Sequence, residues 1–167
     1  MESEMTALRK LIGIGVLAIG VVVLVVGAYF IQQGFAAESE IKARLAEEAV
    51  TITIDDVTYP VDSAELATAQ ALVIKSHTLD KYGPWQTLER GSEERASLLD
   101  GLTLRNSLNM ARMGLDLSLM VKAIGGVFVV IGLGLATTGA VLYIFTARTE
   151  EEEEKVEVRK LTPAHAV

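Results

Sequence analysis

The chain of 167 residues contains no cysteine, two histidines and three prolines. The absence of cysteine excludes disulfides, thiol catalysis and thiolate metal sites. No P-loop, Gly-x-Ser-x-Gly or dinucleotide-binding glycine motif stands between a strand and a helix. These absences predict a protein that is not an enzyme and that uses no cofactor and no bound metal.

Charge is missing from two long stretches, residues 11–31 and 123–145. At about 1.5 Å per helical residue, each can cross a hydrocarbon core of about 30 Å. We therefore predict transmembrane helices over 11–31 and 122–146, with the Lys122 ammonium reaching the headgroups. The first stretch is longer than the core of a signal peptide, which runs about 7 to 15 residues, so we expect an uncleaved anchor.

Glycines recur every seven residues in these stretches. They are Gly13, Gly20, Gly27, Gly34, Gly125, Gly132 and Gly139. Lipid provides no hydrophobic drive for helices to associate, so small residues that allow close backbone approach favour pairing, and a seven-residue period favours a left-handed seam. Ala111 and Ser118 continue the period, which predicts that the helices extend beyond the bilayer. A register that pairs Gly13 with Gly139 and one shifted by a heptad both fit.

The segment between the spans, residues 32–121, is predicted to be an extracytoplasmic helical domain. A small β-hairpin is expected at about 51–61, a helix at about 63–82 and a further helix at about 93–121. Asp62 is expected to cap the first of these helices and Ser92 the second. We expect one stripe of the 63–82 helix to face the long helices, namely Leu66, Gln70, Val73 and His77.

The ends of the chain carry basic residues more densely than the middle segment does. They are Arg9, Lys10, Arg148, Lys155, Arg159 and Lys160. Residues 1–10 and 147–167 are therefore predicted to be cytoplasmic tails. The acidic run of the second tail predicts a solvated, disordered end, with docking to a basic partner as the alternative.

Candidate partner-binding residues are few. They are Trp85, His77, Glu150, Glu151, Glu152, Glu153 and Glu154. His77 is otherwise a structural or surface histidine, and His77 with Asp80 is the only metal-assisted enzyme option that we consider. The expected partners are membrane lipid and other membrane-protein subunits or a second copy, with no small-molecule substrate identified. A net charge of -7 argues against nucleic acid.

Two segments of the chain carry a recognisable pattern: residues 62–79, from Asp62-Ser63-Ala64-Glu65 to the run that ends at Leu79, and residues 95–108. In these segments the chain resembles a family of small two-span bacterial membrane proteins that is often labelled aromatic ring-opening dioxygenase. The resemblance implies two spans around an external helical segment. A two-histidine iron site needs both imidazoles in one cavity, whereas the predicted topology places His77 and His165 on opposite sides of the membrane. We therefore transfer no activity from the resemblance.

The predicted fold is mainly α-helical: an antiparallel transmembrane helical hairpin whose long helices extend into an extracytoplasmic helical domain with a small β-hairpin. The predicted function is a non-enzymatic accessory, scaffold or assembly subunit of a membrane complex in the cell envelope. A transmembrane signalling or regulatory module is the alternative.

Overall fold

A computed structural model describes residues 2–161, with side chains described for residues 5–152, 155 and 156. The elements are α1 (Glu2–Glu47), β1 (Thr51–Ile54), β2 (Val57–Pro60), α2 (Ala64–Tyr82), a 3-10 turn (Trp85–Thr87) and α3 (Glu93–Leu161). The protein is thus mainly helical with one two-stranded antiparallel sheet, which confirms that part of the predicted fold. Both α1 and α3 are long and apolar enough to cross a membrane.

The described residues form two compact units. The first unit holds the described residues up to Phe30 and from Ile124 onward, and the second unit holds residues 31–123. In the first unit, α1 and α3 pack against each other. The second unit holds parts of the same two helices together with the hairpin and α2.

Serine hydroxyls begin both α2 and α3. The Ser63 Oγ accepts a hydrogen bond from the Leu66 backbone N–H at 3.2 Å, so Ser63 and not Asp62 is the N-cap of α2. Ser63 has the extended backbone that an N-cap requires, with φ -135° and ψ 161°. The Ser92 Oγ accepts from the Arg95 backbone N–H at 3.2 Å, as we expected for the start of α3.

The hairpin turns at Asp55 and Asp56, which have φ of 51° and 62°. Two successive left-handed residues are typical of a two-residue type I′ turn, and aspartate tolerates this conformation better than most residues. The turn sets a register in which Ile54 faces Val57. Ile52, in β1, is buried in the core of the second unit.

This core is built from small and aliphatic side chains. Its buried members are Leu45, Ile52, Val61, Ala67, Ala71 and Leu108. The predicted contact stripe of α2 is right at Leu66, which packs against this core, and wrong at Val73 and His77, which are exposed. The buried residues of α2 are Ala67 and Ala71. Alanines at the centre of the packed face allow the helix axis to come close.

The same close packing continues near the end of α2. A Cβ added to Gly101 of α3 would lie 2.5 Å from the Cγ2 of Thr78. The Thr78 hydroxyl donates to the Ile74 carbonyl oxygen at 2.8 Å, which holds that methyl group in place. Gly101 therefore provides the space that α2 occupies beside α3.

Helix α3 continues to Leu161, which corrects the prediction of a disordered tail for residues 147–161. Glutamate and lysine are good helix formers, and adding residues to an existing helix avoids the cost of nucleation. The side chains of Glu153 and Glu154, and all of residues 162–167 including His165, lie outside the described part of the chain.

Candidate functional site

The strongest structural feature of the first unit is a glycine seam, at which α1 and α3 touch through their backbones. A Cβ added to Gly132 would lie 2.8 Å from the carbonyl oxygen of Gly20, and one added to Gly27 would lie 2.7 Å from that of Gly125. At the third layer, a Cβ on Gly13 would lie 3.2 Å from the oxygen of Gly139. The structure thus places these six glycines in the register that pairs Gly13 with Gly139, and even an alanine would force the helices apart.

Other glycines of the same helices face outward. Added Cβ atoms on Gly15, Gly126 and Gly134 would meet nothing within 4 Å. Large aliphatic side chains are exposed around the seam, with Val130 70% exposed. The first unit therefore buries the six glycines of the seam and exposes large aliphatic side chains, whereas a soluble domain usually buries its large aliphatic side chains.

The seam has a second part, within the second unit. An added Cβ on Gly34 would meet the Ser118 carbonyl oxygen at 2.9 Å. The Ser118 side chain is buried, and its hydroxyl donates to the Leu115 carbonyl oxygen at 2.7 Å, so it brings no unsatisfied polar group into the contact. Ala111 is partly buried against the core cluster. All nine predicted packing residues therefore lie on the α1–α3 contact or against the core beside it.

One charged layer interrupts the seam of the second unit. The Glu38 carboxylate of α1 accepts from the ammonium of Lys122 on α3 and pairs with Lys42 on its own helix at 2.7 Å. The hydrogen bonds from Lys122, and then from Lys42, lower the pKa of Glu38 from its ordinary 4.5 to about 2. The Lys122 ammonium also lies 4.7 Å from the ring centre of Phe35.

A shallow groove of about 170 Å³ opens beside this layer. Asp62, Glu65 and Asp116 line it together with Glu38 and the two lysines. The groove is therefore of mixed charge. Its cations are already engaged by Glu38, so its geometry favours holding two helices together over capturing an anion.

A second ion pair lies in the first unit, where Lys10 of α1 donates to Glu150 of α3. Of the acidic run, Glu150 is thus engaged within the chain, and the side chains of Glu151 and Glu152 are exposed. We did not anticipate either inter-helix ion pair from the sequence. A signal existed, because Lys10 and Glu38 lie four heptads apart in α1, and Lys122 and Glu150 lie four heptads apart in α3.

Trp85 and His77 do not form a common site. Trp85 is half-buried beneath the guanidinium of Arg95, which lies 3.8 Å from its ring centre and donates to the Leu88 carbonyl oxygen at 3.0 Å. His77 is exposed on α2. Across the described residues, no group of three or more histidine, aspartate or glutamate side chains is arranged to hold a metal ion.

No protein-family model, no curated protein and no solved structure matches this chain. The resemblance carried by residues 62–79 and 95–108 therefore stays a prediction. The features available for function are a backbone-packed helix pair, two inter-helix ion pairs and exposed apolar faces.

Proposed function

We propose that this protein is a two-span membrane protein that acts as an accessory, scaffold or assembly subunit of a cell-envelope complex, without catalysing a reaction. In this proposal residues 32–121 lie outside the cytoplasm and both tails lie inside. The observation that carries the proposal is the spacing of the two inter-helix ion pairs along each long helix.

The ion pairs fall at equal intervals on the two helices. Lys10 and Glu38 are 28 residues apart in α1, and Lys122 and Glu150 are 28 residues apart in α3. A helical stretch of that length measures about 42 Å, close to the thickness of a bilayer with its headgroup regions, about 40–45 Å. The only charged residue inside either interval is Arg148. This spacing supports one ion pair at each polar interface of a membrane.

The glycine seam supports a scaffolding role. Helices that touch through their backbones need no large interlocking side chains, so the aliphatic side chains of α1 and α3 stay on the outer surface. In a bilayer that surface meets lipid or the helices of other subunits. A pair of this kind presents a fixed surface for assembly.

The proposal is tested by extraction and native mass measurement. The chain is expected to stay in the membrane pellet in alkaline carbonate, and gentle detergent is expected to release it in a particle heavier than one chain. A Gly132→Leu variant should lose that larger particle, whereas Gly134→Leu, whose added side chain points outward, should keep it. A strictly monomeric wild-type particle without a partner would contradict the scaffold role.

One observation favours a transmembrane signalling module as a second candidate. Helix α3 continues past the apolar stretch to Leu161 and exposes Glu151 and Glu152. A regular acidic helix can dock on a basic partner. Deletion of residues 150–154 should then remove a cytoplasmic partner, whereas the scaffold role expects the envelope complex to survive the deletion.

A further inference from the structure

We infer that α3 carries a second helix-pairing seam, outside the membrane, through which two copies of this protein associate in parallel. The seam follows one exposed stripe in the second unit. Its members are Leu99, Thr103, Asn106, Met110, Met113, Leu117 and Met120. The steps between them alternate between four and three residues, which is the spacing of positions that face a partner helix in a coiled coil.

The stripe is open along its whole length. Met110 is 73% exposed and Met113 is 69% exposed, and the other members are also exposed. The residues through which α3 packs within the second unit, such as Leu108 and Leu115, lie on the opposite side of the helix. The stripe is therefore separate from the α1–α3 seam and has no covering element in the second unit.

The four-and-three spacing of the stripe fits an α-helix as its partner. Asn106, the amide residue of the stripe, indicates that this helix is the same one in a second copy. The side-chain amide of Asn106 both donates and accepts hydrogen bonds, so it can pair with the same residue of a second copy. An asparagine within an apolar seam typically fixes the register of a parallel pair. Because two copies inserted in one membrane have the same orientation, identical stripes meet in parallel; this step rests on the proposed membrane insertion.

The positions that flank the stripe favour self-association. They are Asp100, Leu102, Ser107, Asn109, Gly114, Asp116 and Val121. Asp100 and Asp116 are the charged residues among them, and Arg112 of the same helix pairs with Asp116 at 3.5 Å. In a parallel pair these two positions face Arg95 and Val121 of the second copy. An in-register pair of copies therefore brings no like charges together at the seam.

The area is sufficient for a specific contact. A leucine or methionine side chain has an accessible area of roughly 200 Å², so the leucines and methionines of the stripe expose on the order of 600 Å² per copy. A symmetric pair of copies would bury on the order of 1,200 Å², which is the lower end of the range for stable protein–protein interfaces. Methionine adapts its shape readily and is common at helix-binding surfaces. The stripe thus matches a homodimer interface of modest size.

Disulfide cross-linking tests the inference cleanly, because the chain has no cysteine of its own. Met113→Cys and Leu117→Cys introduce a thiol on the stripe. Leu104→Cys and Leu119→Cys introduce one at positions that are 57% and 62% exposed but lie off the stripe. In isolated membranes under mild oxidation, the stripe variants should form a covalent dimer at least fivefold more efficiently than the two controls.

A second comparison examines the asparagine. In the Met113→Cys background, Asn106→Asp places two carboxylates face to face and should reduce dimer formation at least threefold. The same change at Asn109, beside the stripe, should leave dimer formation within twofold.

Several outcomes would overturn the inference. Equal cross-linking on and off the stripe would indicate random collision. The absence of any dimer would show that the stripes of two copies do not meet, and an adduct of another mass would indicate a different partner. Retention in the carbonate pellet is measured on the same membranes. A retained chain without stripe-specific dimers overturns the pairing alone, whereas a chain released by carbonate overturns the membrane proposal as well.

Discussion

At the scale of single residues, glycines have two different roles in the long helices. An added Cβ on Gly132 would lie 2.6 Å from the backbone nitrogen of Leu24, while one on Gly134 would meet nothing within 4 Å. Backbone atoms cannot rotate away as a flexible side chain can, so only the first position is sterically closed to a methyl group.

This difference predicts opposite effects of one substitution at two neighbouring glycines. Replacement of a helical glycine by alanine stabilises the helix by roughly 0.5–1 kcal/mol at either position. At Gly132 the added methyl group also separates the helices, with an overpacking cost of about 1–3 kcal/mol. The free energy of unfolding in lipid bicelles should therefore be lower for Gly132→Ala than for Gly134→Ala. Equal free energies for the two variants would show that the seam glycines are not in contact.

At the scale of elements, Glu38 links two helices of the second unit by pairing with Lys122 on α3 and Lys42 on α1. Its pKa in the folded protein is about 2, below the ordinary 4.5, so its stabilising contribution is complete above pH 4.5 and disappears as the pH falls through about 2. The second unit should consequently lose stability across that interval. Thermal unfolding followed by Trp85 fluorescence in detergent between pH 5 and 2 measures this loss.

Two matched variants separate this linkage from general acid denaturation. Glu38→Gln removes the carboxylate and should flatten the dependence of the unfolding temperature on pH. Glu40→Gln removes a neighbouring carboxylate whose partner, Arg44, lies on the same helix at 2.9 Å, and it should retain the dependence. If both variants kept the wild-type dependence, the link between α1 and α3 would be refuted.

The elements differ in how far the sequence predicts them. The long helices can be predicted from the length of the two uncharged stretches. The glycine period leaves two registers open, and the ion pairs Lys10–Glu150 and Glu38–Lys122 select one of them, because a shift by one heptad would separate both pairs. The burial of Ala67 and Ala71 in α2 could not be predicted, because alanine is small enough to suit either a packed or an exposed position. The contact of Arg95 with Trp85 depends on the conformation of the 3-10 turn, which no periodic pattern encodes.

At the scale of the whole molecule, the proposed topology rests on the distribution of basic residues. Short flanks rich in lysine and arginine favour the cytoplasmic side, so residues 1–10 and the segment after 147 should be inside and residues 32–121 outside. Segments above about 60 residues cross membranes largely regardless of charge, so the short flanks carry the charge signal. Direct labelling is therefore the appropriate measurement.

Single cysteines introduced by Ala7→Cys and Arg90→Cys report on the two sides. In intact cells a membrane-impermeant maleimide should label the cysteine at position 90 and leave the one at position 7 unlabelled. Both positions are exposed in the structure, so both cysteines should react in permeabilised cells. This reaction is the control for a thiol that is buried in the protein. Labelling at position 7 alone would show that the topology is the reverse of the proposed one. Labelling of both positions in intact cells would show that no membrane separates them. The proposed topology would also set the redox environment of the middle segment. A chain without cysteine forms no disulfides there and depends on packing at Ala67, Ala71 and Gly101.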